Sequence, residues 1–194
     1  MKKYVKVLAI VPVSILAIAL PVFGQIYNRV NGTVNLPTIP DSNDTTFCPN
    51  GFMITGLAGG FGHSSKYNNP HLIKCDRLIN ASGVGVTFTG DYDTRQTLVD
   101  DNTMTHCPSN YVMVGLSGGW GHSSSYNAPH KFSCRALSNN FQIANNFRMQ
   151  TKVESDEITV CPTGFVVIGL SGGYGHSSEY NVPHDLLCGE ILPR

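Results

Sequence analysis

Charge is what this sequence has least of. Only 13% of its 194 residues are Asp, Glu, Lys or Arg, about half the share of an ordinary globular chain, and the two signs cancel to a formal net charge of zero. So balanced a chain has no basic stripe to displace the counterions of a phosphate backbone, and nucleic acid is not an expected partner. Cys-x-x-Cys, Cys-x-x-Cys-His and a phosphate-cradling glycine loop are also missing, which removes the usual carriers of dithiol redox, haem and nucleotide chemistry. Beyond its first two dozen residues the chain has neither a second long apolar run nor an amphipathic helical pattern, so the expectation turns to β structure.

The one long apolar run lies at the start. A basic Met1 to Lys6 leads into Val7 to Phe23, and Pro21 precedes small residues around Gly24, the form of a secretory signal peptide over residues 1–24 with cleavage before Gln25. The alternative is an uncleaved anchor, because the run approaches the ~17 residues a span needs; Pro12, Ser14 and Pro21 make it a poor span. The expected location is secreted, periplasmic or cell-surface, with no membrane contact after cleavage. Cleavage takes away Lys2, Lys3 and Lys6 and leaves a weakly acidic remainder.

That remainder is built from repeats. Cys48-Pro49-Asn50-Gly51-Phe52 through Cys75 recurs from Cys107 to Cys134 and again from Cys161 to Cys188, as C-P-x-[GN]-[FY]-x-x-x-G-L-[AS]-G-G-[FWY]-G-H-S-S-x-Y-N-x-P-H-x-x-x-C. The chain divides into an N-terminal spacer (25–47), repeat 1 (48–75), a spacer (76–106), repeat 2 (107–134), a spacer (135–160), repeat 3 (161–188) and a tail (189–194). Thr45-Thr46-Phe47, Met104-Thr105-His106 and Ile158-Thr159-Val160 each lead into a Cys-Pro, so a full unit reads as spacer followed by motif. Phe52 to Leu57, Tyr111 to Leu116 and Phe165 to Leu170 are aromatic and β-branched runs ending in glycines, which predicts strands. Val84 to Thr89 and Phe147 to Val153 alternate as strands with one wet face. The Asn-x-Pro step forbids a helix there and makes G-H-S-S-x-Y-N-x-P-H an ordered loop. The fold class is all-β: three disulfide-framed β units, in a row or around a pseudo-threefold axis.

Six cysteines allow fifteen pairings, and the repeat favours two symmetric schemes. One closes each copy on itself: Cys48 with Cys75, Cys107 with Cys134, Cys161 with Cys188. The other links copies, Cys75 with Cys107, Cys134 with Cys161 and Cys48 with Cys188. Thiols in an exported chain are expected to be oxidised. Each copy also offers two cysteines and two histidines, as in Cys48, His63, His71 and Cys75, a zinc complement by count, although the spacing matches no familiar finger.

Six of the seven histidines occupy two motif positions: His63, His122 and His176, then His71, His130 and His184. Three roles fit them. The first is architectural, an imidazole donating to a backbone carbonyl and accepting from a serine to fix a glycine-loosened turn; Ser64, Ser65, Ser123, Ser124, Ser177 and Ser178, with Asn68, Asn127 and Asn181, then act as turn caps. The second is a divalent metal, zinc or copper, held by the paired imidazoles of each loop beside Tyr67, Tyr126 or Tyr180. A variant of it gathers His63, His122 and His176 around the pseudo-threefold axis, with water as fourth ligand. The third is recognition of a glycan or other extracellular ligand, an aromatic platform (Phe61, Trp120, Tyr174 and the three motif tyrosines) taking a sugar face while Asn, Ser and His bond its hydroxyls; three copies would add avidity. The expected function is a secreted binding module of this third kind, with metal binding or a structural role in a surface layer as alternatives, and no cofactor is certain.

An enzyme is not expected. Gly115-Leu116-Ser117-Gly118-Gly119 and Gly169-Leu170-Ser171-Gly172-Gly173 fit G-x-S-x-G, but that elbow needs a strand-to-helix turn, and repeat 1 has Ala58 at the serine position. The frame of Cys, aromatic strand, Gly-Leu-Ser and closing Cys loosely resembles secreted dermatopontin-like repeats. The Asp-Arg-x-Trp signature of those repeats is missing before the second cysteine of every copy, so nothing is carried over.

Overall fold

The computed structural model describes residue 27 and residues 29–39, 42–58, 71–98, 101–119, 130–152, 156–173 and 184–194. The expected signal segment, 1–24, lies outside them, as does most of each G-H-S-S-x-Y-N-x-P-H loop. Regular structure among the described residues is β throughout: β1 (Arg29–Pro37), β2 (Ser42–Phe47), β3 (Met53–Leu57), β4 (Leu72–Ile79), β5 (Phe88–Gln96), β6 (Asp101–His106), β7 (Tyr111–Gly119), β8 (Lys131–Leu137), β9 (Phe141–Gln150), β10 (Thr159–Val160), β11 (Phe165–Gly173) and β12 (Asp185–Pro193). They form three four-stranded antiparallel sheets, so the all-β, three-unit expectation holds.

Each motif folds on itself first. The apolar run after Cys-Pro, which is β3, β7 or β11, pairs with the strand carrying the second cysteine, β4, β8 or β12. The spacer strand β1, β5 or β9 then adds to the other edge of that second strand. Both faces of the first strand are buried. Ile54, Met113 and Val167 join one apolar cluster, and their neighbours Met53, Val112 and Val166 join a second. A strand buried on both faces reads as a continuous apolar run, which is why these segments lack alternation.

The fourth strand of every sheet comes from another unit. β2, just before motif 1, pairs with β7 of unit 2; β6, just before motif 2, pairs with β11 of unit 3; β10, just before motif 3, pairs with β3 of unit 1. The transfers run first to second, second to third and third to first, so the units close into a ring rather than a row. The following cysteine repeats the pattern: the N–H groups of Cys48, Cys107 and Cys161 donate to the carbonyls of Val114, Ile168 and Thr55. This close seam explains one motif glycine. A Cβ on Gly56 would lie 2.7 Å from Thr159 O, and one on Gly169 2.9 Å from Thr105 O, both on the borrowed strand.

Disulfides join Cys48 to Cys75, Cys107 to Cys134 and Cys161 to Cys188, which settles the choice for pairing within copies and rules out the scheme between them. In the loop-entropy account each closure contributes roughly 3–4 kcal/mol, and the bridges sit among Leu57, Leu116 and Leu170 in the cluster shared by all three units. One predicted strand is displaced. Val84 to Thr87 makes only an isolated bridge, Ile79 to Gly85, and the strand proper begins at Phe88, because the Asn80 side chain accepts from the Ser82 and Val84 N–H groups and turns the chain there.

Candidate metal centre

Side chains alternate along a strand, so a histidine four residues before a buried cysteine shares its face. His71, Ile73 and Cys75 follow this rule into the common core, as do His130, Phe132 and Cys134, and His184, Leu186 and Cys188. Each disulfide thereby fixes the strand that delivers its own histidine. The three imidazoles meet, with ring centroids 4.7, 4.8 and 4.9 Å apart and planes at 73–74° to one another. Near-equal spacing of three equivalent residues marks the pseudo-threefold axis, and each residue is 8% exposed.

Every ring is held the same way. Nδ1 of His71 lies 3.1 Å from Ala58 O, that of His130 3.3 Å from Ser117 O, and that of His184 3.0 Å from Ser171 O. A carbonyl only accepts, so Nδ1 carries the proton and donates, and in the neutral ring Nε2 holds the lone pair. The backbone adds a second clamp: the His71, His130 and His184 carbonyls accept from the Thr38, Thr97 and Thr151 N–H groups. Thr97 and Thr151 also accept, through Oγ1, from the His130 and His184 N–H groups.

Burial favours the neutral ring. It pushes His130 well below the usual histidine range, with the neighbouring His71 and His184 adding to the shift against the Ser117 bond. It lowers His184 as well, opposed by the Ser171 bond and by Asp185. Neutral imidazole with Nδ1 bonded to a carbonyl is the state in which histidine ligates a metal through its other nitrogen. One ligand nitrogen from each ring lies within 4.8 Å of the others, so the group could hold a metal ion. A four-coordinate ion with bonds of 2.0–2.1 Å sets nitrogens about 3.4 Å apart, and the rings would draw in accordingly.

One expectation about metal is corrected. The cysteines are consumed in disulfides, so a Cys2His2 zinc site of Cys48, His63, His71 and Cys75 has no thiolate to offer. The imidazoles found at the axis are those of the second motif histidine, His71, His130 and His184; the variant with the first histidine of each motif there falls on residues outside those described. His63, His122 and His176 lie outside the described residues, together with Ser64, Ser65, Tyr67, Asn68, Ser123, Ser124, Tyr126, Asn127, Ser177, Ser178, Tyr180 and Asn181. Ser117 and Ser171 lie within β7 and β11, are fully buried, and accept from the Lys131 and Asp185 N–H groups. The chain matches no protein-family model, no curated protein and no solved structure in the three comparisons.

Proposed function

We propose that this chain is a metal-binding module in which His71, His130 and His184 hold one divalent ion, zinc or copper, on the pseudo-threefold axis. What supports it is the repeated Nδ1–H to carbonyl bond, which sets all three rings in one tautomer around one point. Imidazole nitrogen suits both metals, and three protein ligands leave a four-coordinate ion one further position. The three ligands come from three units, so the ion ties the ring at its centre and stabilises the closed form by its binding free energy. Three disulfides fit an oxidising compartment, and the module acts there, secreted or at a cell surface.

The test is metal analysis of untagged protein after dialysis against zinc and, separately, copper. One ion per chain, lost in His130→Ala while circular dichroism keeps its β signature, is the expected result. Three ions per chain would instead support a pair of histidines within each loop and overturn the axial site. No bound metal, or one ion retained by the triple variant His71→Gln, His130→Gln, His184→Gln, would overturn it too. Glycan recognition by the motif loops falls on residues outside those described, and no described contact of those loops speaks for it.

A further inference from the structure

The residue after each closing cysteine is different in each unit. Asp76 is 2% exposed and accepts from Thr33 Oγ1 and Thr55 Oγ1, both at 2.6 Å, with Lys74 Nζ 3.1 Å away. At Gly189 there is no side chain, and a Cβ would meet Ile168 and Ile143 at 2.8 and 2.9 Å. Arg135 is the third. Its Nε–H donates to Thr89 O at 3.1 Å and an Nη1–H donates to Asn50 Oδ1 at 3.3 Å. Its guanidinium carbon stands 5.0 Å from the Phe88 ring centre and 5.1 Å from that of Tyr92.

A guanidinium has five N–H donors. Three of those on Arg135 have no protein acceptor among the described residues, and no carboxylate there pairs with its charge. The head group is therefore braced and stacked but electrostatically unmet, in the planar fork that suits an oxyanion. It lines a cleft of about 380 Å³ at the seam of two units, with Phe47, Asn50 and Phe52 from the first and Tyr92 from the second. Among the described residues no acidic side chain lines that cleft. Phe47 lies over Gly115 and Tyr92 beside Arg135, yet they remain 51% and 58% exposed and offer aromatic surface to the cleft.

We infer that this cleft binds an acidic sugar, with the sugar carboxylate on the Arg135 fork and the apolar face of the ring on Tyr92 and Phe47. An exposed aromatic face beside an unpaired cation and an amide matches a ligand that is apolar on one side, hydroxylated at its edge and singly negative. The site shares no residue with the axial histidines, so it stands or falls apart from the metal reading. Neither of the two equivalent positions provides it, since Asp76 is internally bonded and Gly189 has no side chain.

Titration calorimetry of the full chain with trigalacturonate, and with its methyl ester as neutral counterpart, tests the assignment. The acid is expected to bind, the ester to bind about tenfold more weakly, and Arg135→Ala to lose that difference. Arg135→Lys retains charge without the fork and should fall between the two. Tyr92→Ala should weaken acid and ester together, which keeps the test alive if Arg135→Ala loosens the seam at Asn50 and Thr89. Equal affinity for acid and ester, binding indifferent to Arg135→Ala, or no binding would overturn the proposal. So would tighter binding of inorganic phosphate or of an Asp-Glu hexapeptide.

Discussion

Two sets of threefold-equivalent positions behave in opposite ways. At the axis the same residue stands three times, His71, His130 and His184, and each makes the same bond to the same backbone position. One residue past the closing cysteine, Asp76, Arg135 and Gly189 have nothing in common. The difference follows from what each set touches. An axial side chain meets its own copies, so one geometry must serve three times, whereas an outer side chain meets only local neighbours and is free to take on a separate task. In a chain of repeats, identity marks where units meet one another, and divergence marks where one unit can acquire a property of its own.

Several measurements would break or sharpen that contrast. The largest effect is expected from removing one disulfide at a time, by paired Cys→Ala changes in each unit. Each should cost about 2–5 kcal/mol in urea unfolding, with the three values close together; a wide spread would mean that the interior is not mechanically equivalent. Next comes Asp76→Ala, which takes the acceptor from the buried Thr55 hydroxyl and from the exposed one of Thr33 and should cost about 2–3 kcal/mol. Arg135→Ala should cost under about 1 kcal/mol, as suits a group held for a ligand, and the reverse order would deny Arg135 that status. The seam glycines should separate by what faces them. Gly56→Ala and Gly169→Ala drive a Cβ against backbone oxygen, while Gly115→Ala meets the side chains of Thr45 and Phe47. The first two should cost about 2–3 kcal/mol and the third about 1, read as melting points lower by about 2–4 °C per kcal/mol.

The smallest effect near neutrality is the pH dependence of the metal-free protein. His130 and His184 titrate lower in the folded chain than the ordinary 6.5. Above 6.5 both folded and unfolded forms are neutral there and stability is flat. As pH falls below 6.5 the unfolded chain takes up protons that the folded one refuses, so stability declines down to the folded values. Chelator-treated protein should show this acid loss in thermal melts, and His130→Gln should flatten it. A stability that rises on acidification would contradict the burial of the axial rings.

Much of this was legible in the sequence because repetition does some of the work of a structure. Three equal Cys-to-Cys spacings carried the pairing, and the apolar runs from Phe52, Tyr111 and Phe165 marked the central strands. The axial histidines carry a sequence signal too: counting back in twos from Cys75, Cys134 and Cys188 lands on His71, His130 and His184 on the buried face. The sequence offered both histidines of each motif as ligands, and only the second has such a tie to a fixed strand. Strand exchange could not be read, since Thr45-Thr46-Phe47 pairs with Gly115 to Ser117 on another unit and nothing local names that partner. Arg135 was invisible for the opposite reason, because it breaks the repeat that marks every other candidate residue.

The ring also imposes an order of events on synthesis. β2 and β6 emerge ahead of the strands they will join and must wait, but β10 has to travel back, from Thr159 to Leu57, to a unit completed long before. That pairing is the most distant of the three in sequence and only two residues long, so it is expected to form last and to limit the folding rate. A nascent chain stopped after its second unit would display β3 as a bare edge, a template for any passing strand. Premature termination in such a protein should therefore show itself as intermolecular association before it shows itself as unfolding.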